Sequence, residues 1–236
     1  RTVRCTSMSG VIFLHDWDPP EALPPTRRAL REPNGLLAVG GALTPDWLLH
    51  AYRRGVFPWF SEGQPILWWT PDPRAVLFPG EFRRSRSLLK SIRNRGFETR
   101  LDTAFADVVA ACAAPRREDP GTWITPAMYR SYVELHHRGM AHSIETWQDG
   151  RLVGGLYGVT IGSVFFGESM FSLARDASKV ALARLVDESL ARGIRLIDCQ
   201  METAHLASLG ARALPRARFE ALLEEHCTGP DRLWRG

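Results

Sequence analysis

The stretch Ser163-Val164-Phe165-Phe166-Gly167-Glu168-Ser169-Met170-Phe171, taken together with Leu196-Ile197-Asp198-Cys199-Gln200, decides the fold. Val164 to Phe171 reads as a buried strand, because the run is bulky and apolar, with one carboxylate set in its middle. Asp176-Ala177-Ser178-Lys179 then opens a helix whose apolar positions Leu182, Leu185, Val186 and Leu190 keep helical spacing until Gly193 stops it. Leu196 to Gln200 is a second short strand. Side chains two apart on a strand share a face, so Asp198 and Gln200 are expected on one side and Ile197 and Cys199 on the other. A carboxylate in a core strand is costly unless something compensates it, so Glu168 and Asp198 mark either satisfied structural pairs or a site. Two acids and an amide on neighbouring strands, beside Phe165, Phe166 and Phe171, point to a pocket.

Upstream of this unit the chain alternates as a meander. Ser143 to Trp147, the Gln148-Asp149-Gly150 turn, Leu152 to Val159 and Val164 to Phe171 predict consecutive antiparallel strands. A meander, a helix and a strand beside it, covered by further helices, is an α+β architecture. It suggests the GNAT type of acyltransferase fold. That fold holds the coenzyme A pyrophosphate on a glycine-rich turn before the helix. Here the junction from Met170 to Ala177 has no glycine, which disfavours an acyl-CoA donor.

The chain has 236 residues, 44% of them hydrophobic and 24% charged, enough for one large domain or two modest ones. No run of about 18 apolar residues is present, so no membrane span is expected. The four cysteines, Cys5, Cys112, Cys199 and Cys227, show no paired spacing, which argues for free thiols and a cytoplasmic setting. Net charge is +4, and the excess is local: Arg83, Arg84, Arg86, Lys90, Arg93, Arg95 and Arg100 crowd one stretch. A solvated helix face is the plain reading, and an RNA partner is the functional one.

Toward the N-terminus, Pro19-Pro20 and Pro24-Pro25 oppose regular structure, and Leu36 to Val39 is a short strand. Thr44 and Pro45 start a helix that ends at Gly55. Phe57, Trp59, Phe60, Trp68 and Trp69 follow in a proline-rich loop, where Tyr52 or Trp59 could face a ligand or a base. A basic helix is expected from Ser87 to Arg95, a Thr103-capped helix to Ala113, and a helix after Thr125-Pro126 that ends at Gly139. Ala204 to Leu209 and Arg216 to His226 complete the helices. His136, His137 and His142 invite a metal reading, but no Cys or acid in the sequence pattern completes a ligand set, so no metal is expected.

Several long strings taken in order resemble the leucyl/phenylalanyl-tRNA–protein transferases. They are Gly35-Leu36-Leu37-Ala38-Val39-Gly40-Gly41, Ala51 to Phe60, and Leu67-Trp68-Trp69-Thr70-Pro71-Asp72-Pro73-Arg74. Gly121-Thr122-Trp123-Ile124-Thr125, Phe166 to Ser172 and Leu196 to Gln200 continue the resemblance, which runs from about Pro33 to Phe219. It implies a small N-terminal domain over 1–73 and a GNAT-like catalytic domain over 74–236, with a mostly antiparallel central sheet flanked by helices. It also implies transfer of Leu, Phe or Met from aminoacyl-tRNA to a protein's N-terminal Arg or Lys, which marks that protein for degradation. No cofactor, membrane or DNA partner is implied.

By the same resemblance Asp198 and Gln200 serve peptide-bond formation, and Glu168 lies at the acceptor and adenosine site. Tyr52, Trp59 and Trp123 shape the site around the terminal adenosine and the acceptor, and Leu156, Phe165 and Ile197 line the amino-acid pocket. The basic helix, with Arg83, Arg84, Arg86, Lys90, Arg93 and Arg95, contacts the acceptor stem. Ala42, Arg83 and Leu173 depart from the usual Asp, His and Arg of the family pattern. An ester on tRNA is already activated, so the expected chemistry is orientation of a neutral amine and acceptance of its proton, either with Asp198 drawing it off through Gln200 or with the donor's ribose 2′-hydroxyl as the shuttle and Asp198 holding the acceptor. A tRNA-sequestering module without catalysis is the alternative.

Overall fold

A computed structural model describes residues 10–114 and 124–228 of the chain. The strands are β1 (Ile12–Leu14), β2 (Leu36–Gly40), β3 (Phe57–Pro58), β4 (Leu67–Trp69), β5 (Arg74–Leu77), β6 (Glu98–Leu101), β7 (Ala141–Gln148), β8 (Arg151–Ile161), β9 (Val164–Ser172), β10 (Leu196–Gln200) and β11 (Arg212–Leu214). The helices are α1 (Pro45–Arg53), α2 (Arg86–Asn94), α3 (Phe105–Ala113), α4 (Pro126–His137), α5 (Ala177–Arg192), α6 (Ala204–Ser208) and α7 (Arg216–His226).

Two sheets form. The smaller has the order β1-β2-β4-β3, and the larger has the order β11-β5-β10-β9-β8-β7-β6. In the larger sheet β7, β8 and β9 make the expected antiparallel meander. β10 then lies parallel to β9, with Ile197 opposite Phe165 and Asp198 opposite Phe166. The other pairings in this sheet are antiparallel, so the fold is α+β with a mostly antiparallel centre and a helix, α5, between its two parallel strands. The edge strands β1, β6 and β11 were not expected.

Alternation along β9 and β10 divides the core. Phe166 and Leu196 join one apolar cluster with α1, α3, α4, α7 and the small sheet, whereas Phe165 and Ile197 join a second with α2, α5 and α6. Leu182, Leu185 and Val186 bury one face of α5 as their spacing requires, but Leu190 stays 55% exposed. Gly193 ends this helix in the left-handed conformation, φ 78°. Thr103 does not cap α3 as its position suggests: its hydroxyl donates to Glu145 on β7, and that buried carboxylate takes the N–H groups of Thr103 and Ala104. An acid on a neighbouring strand thus does the work of an N-cap.

Candidate active site

Glu168, Asp198 and Gln200 all line one cavity of about 360 Å³, and so do Leu156, Phe165 and Ile197. Met170, Leu182 and Leu185 complete its apolar floor, while Thr203 and His205 stand at the C-terminal end of β10. Phe165 reaches the cavity because Gly158 has no side chain: a Cβ there would lie 2.6 Å from the Phe165 ring and 2.3 Å from the Phe166 carbonyl oxygen.

Asp198 is fully buried and sits in the fork of Arg74, a residue not expected to matter. Arg74 Nε donates to Oδ1 at 2.8 Å and Nη2 to Oδ2 at 2.6 Å. The third guanidinium nitrogen, Nη1, donates to the Gly55 carbonyl at 3.0 Å, and the Phe57 and Phe219 rings lie within 4.7 Å and 4.8 Å of the guanidinium carbon. A bidentate fork of this kind is the geometry in which a buried carboxylate keeps its charge. Asp198 Oδ1 also accepts the Gln200 N–H at 2.9 Å. That contact goes with a bulge between Asp198 and Gln200 and a left-handed Gln200, φ 61°, so the regular two-residue alternation expected here is broken. Both oxygens of Asp198 are engaged, which leaves it poorly placed to collect a proton from a substrate.

Glu168 is neutralised differently. Tyr52 donates to Oε1 at 2.7 Å, Tyr132 donates to Oε2 at 2.6 Å, and the two phenol oxygens are themselves 2.6 Å apart. Gln200 Nε2 approaches Oε1 at 3.3 Å. Two phenols bring two protons to three short oxygen–oxygen contacts. The ring of contacts closes only when Glu168 supplies a third proton, in which case one phenol accepts from the carboxyl and donates to the other phenol. Burial pushes the Glu168 carboxyl up to about 7, against the phenol hydrogen bonds that pull it down, and the Asp198 charge adds to the rise. Both phenols are held protonated, foremost by burial. Tyr52 therefore supports Glu168 and does not stand on an open stacking wall; it is 1% exposed.

Cys199 lines the same cavity, but burial and the neighbouring Asp198 charge push its thiol well up, so it offers no thiolate nucleophile. Burial and then the nearby Arg and Lys cations lower His50 and His205. Trp59 is 44% exposed and borders a second cavity of about 440 Å³, together with Phe57, Trp69, Met201 and Glu202. Trp123 lies outside the described residues.

The basic stretch forms α2 with Leu88 and Ser91 buried, which turns Arg86, Lys90 and Arg93 to solvent along one face. Lys90, Arg95 and Arg175 line a groove of about 230 Å³ between α2 and the start of α5. Arg83 is exposed, while Arg84 is drawn off to Asp187 and the Phe82 ring.

The family model described as leucyl/phenylalanyl-tRNA protein transferase matches residues 76–224, and the one for its N-terminal domain matches residues 41–72. The leucyl/phenylalanyl-tRNA–protein transferase of Azoarcus sp. (strain BH72) is 61% identical over 203 residues, covering 86% of each chain. The protein of the same name from Aromatoleum aromaticum is 61% identical over 196 residues, 83% of each chain, and that from Pseudomonas fluorescens is 58% identical over 212 residues, 89% of this chain and 94% of its own. Among solved structures, L-PGS from Bacillus licheniformis overlays with a TM-score of 0.39 at 10% identity, covering 71% of this chain and 53% of its own. A GCN5-related N-acetyltransferase from Kribbella flavida gives 0.36 at 12% identity, covering 76% and 63%.

Proposed function

The chain belongs to the leucyl/phenylalanyl-tRNA–protein transferase family, and from that premise we propose how its cavities carry out the transfer. It is an aminoacyltransferase whose donor is an aminoacyl-tRNA and whose acceptor is a protein. The reading extends to Leu, Phe and Met as the transferred residues and to acceptors that begin with Arg or Lys. The product is an N-terminus that marks the protein for degradation, and the work is done in the cytoplasm. Among the described residues no helix is long and apolar enough to cross a membrane. The small sheet ends at Trp69 and the large one begins at Arg74, which supports a division into 1–73 and 74–236.

The observation that carries the reading is the convergence of Leu156, Phe165 and Ile197 with Glu168, Asp198 and Gln200 on one cavity. The apolar part takes the donor's side chain, and the polar end takes the ester and the attacking amine. The reaction forms one amide C–N bond and breaks one ester C–O bond, with the 3′ oxygen of the terminal ribose leaving as a hydroxyl. Gln200 turns its Nε2 toward Glu168, so its side-chain oxygen is left to accept a hydrogen bond from the incoming amine. Asp198, locked by Arg74, holds the Gln200 backbone and so fixes where that amide stands. This makes Asp198 a positioning residue instead of the general base expected from its type. The ribose 2′-hydroxyl, beside the ester, passes the amine's proton to the departing oxygen. Trp59 stacks on the terminal adenosine, and the α2 face with Arg83, Arg86, Lys90, Arg93 and Arg95 meets the acceptor stem.

The test is transfer of labelled Leu from leucyl-tRNA to a peptide beginning with Arg, with a Gly-first peptide as control. Label on the first peptide alone is expected. Tight tRNA binding without any transfer would overturn the reading in favour of a sequestering protein.

A further inference from the structure

Stacking on Trp59 holds the terminal adenosine in the second cavity, in the reading above, but stacking accepts any base, because every base has a π face. Choosing among bases takes a polar group at the base edge. Aromatic rings and prolines make up most of this cavity, and only two of its lining residues, Asn34 and Glu202, carry a side-chain oxygen. Asn34 is engaged by the chain itself: Nδ2 donates to the Asp72 carbonyl at 3.0 Å, and Oδ1 accepts the Asp72 N–H at 3.2 Å. Glu202 is exposed, and among the described residues its carboxylate has neither a cation nor a hydrogen-bond donor against it.

The end of β10 sets where that carboxylate stands. Gln200 turns the chain out of the strand in the left-handed conformation, so Gln200 lines the first cavity while Met201 and Glu202 line the second. Two residues of chain span at most about 7 Å, so Glu202 stands within a nucleoside's length of the residue that meets the attacking amine. A carboxylate only accepts hydrogen bonds. Adenine offers it the 6-amino group, a donor, where guanine has a carbonyl oxygen.

We propose that Glu202 is a specificity-determining residue for the donor: its carboxylate accepts a hydrogen bond from the 6-amino group of the terminal adenine while Trp59 stacks on the ring, which seats the ribose ester at the junction of the two cavities. The inference rests on the reading above that the adenosine lies in this cavity.

The experiment uses the full chain, a saturating peptide that begins with Arg, and two minimal donors carrying labelled Leu: leucyl-adenosine, and leucyl-purine riboside, which differs only in lacking the 6-amino group. The parent's KM should be about fivefold lower for the adenosine donor, the scale of one hydrogen bond. Glu202→Leu should raise the KM for leucyl-adenosine to that for the purine riboside donor, with the change in KM and not in kcat, so that the preference collapses. Glu202→Gln keeps a side-chain oxygen that accepts, and should retain most of the preference. Equal use of the two donors by the parent overturns the proposal, and so does an adenosine preference that survives Glu202→Leu. A preference lost as fully in Glu202→Gln as in Glu202→Leu overturns it too, since charge and not an accepting oxygen would then be what matters. A Trp59→Ala variant with an unchanged KM for leucyl-adenosine would place the adenosine elsewhere and overturn the role of Glu202 with it. A parent enzyme that labels the Arg peptide from neither minimal donor nor leucyl-tRNA overturns the transferase reading itself.

Discussion

Glu168 and Asp198 stand on adjacent parallel strands, both buried, and each is made tolerable in a different way. At the end of β10 the carboxylate is matched by a guanidinium whose donors bond Asp198 and one backbone carbonyl. On β9 the carboxyl is matched by two neutral phenols and supplies a proton of its own. The first solution freezes geometry, with both carboxylate oxygens engaged. The second leaves a group whose proton comes and goes near pH 7. Residue type makes Asp198 a candidate base; its surroundings engage both of its oxygens, which is why we propose it as the anchor.

The contrast is broken most severely at Arg74. Arg74→Met leaves the Asp198 charge buried and uncompensated, which should cost about 3 to 5 kcal/mol in denaturant unfolding. Adding Asp198→Leu should recover much of that. A double variant no more stable than the single one would show that Arg74 matters for the Gly55 and Phe219 contacts instead of the charge.

Next in size is a pH effect on the other side of the comparison. The Glu168 carboxyl is raised from 4.5 to about 7, so between these values the unfolded chain releases this proton while the folded one keeps it. Stability from this group is therefore full below about pH 4.5 and is lost as pH rises toward 7, by about 3 kcal/mol in all. Unfolding at several pH values should show that fall in the parent and a flatter profile in Glu168→Gln. Parallel profiles would remove the protonated carboxyl from the account.

The apolar half of the cavity is a smaller effect and concerns selection. Leu should outcompete the β-branched Ile by about 1 to 3 kcal/mol in competitive transfer, and Phe165→Ala should shift preference toward bulkier side chains. Equal use of Leu and Ile by the parent would move the pocket elsewhere.

Smallest per residue is the surface, where the same difference between cancelled and open charge sorts the cations. Arg84 is spent on Asp187, while among the described residues Lys90 and Arg93 have no acid partner. Lys90→Ala or Arg93→Ala should each lower the salt slope of tRNA binding by about one unit, and Arg84→Ala by less. Transfer from a minimal aminoacyl-adenosine should barely change. Equal losses with both donors would make α2 a support of the fold.

Much of this architecture is written in local pattern. The meander and the β9–α5–β10 unit are legible as long apolar runs, whose strands are buried on both faces, and α7 as a helical period that buries Phe219, Leu222 and Leu223. The decisive partners are not local. Arg74 and Asp198 are 124 positions apart and meet only because β5 pairs with β10, and Tyr132 reaches Glu168 from α4, whose sequence is unremarkable. A lone Arg after Pro73 gives no sign that it will be buried. The edge strands β6 and β11 are short and partly exposed, so neither alternation nor length marks them. Gln200 was legible as a residue but not as a bend, because nothing in a five-residue apolar run announces a positive φ at its end.

The protonation of Glu168 is the claim on which the two-carboxylate account stands, and carbon-13 NMR of labelled glutamate carboxyls reads it directly, with the Glu168→Gln spectrum identifying the resonance. A midpoint near pH 7 is predicted. A Glu168 resonance already at its ionised position at about pH 5, where an ordinary glutamate is largely deprotonated, would contradict it.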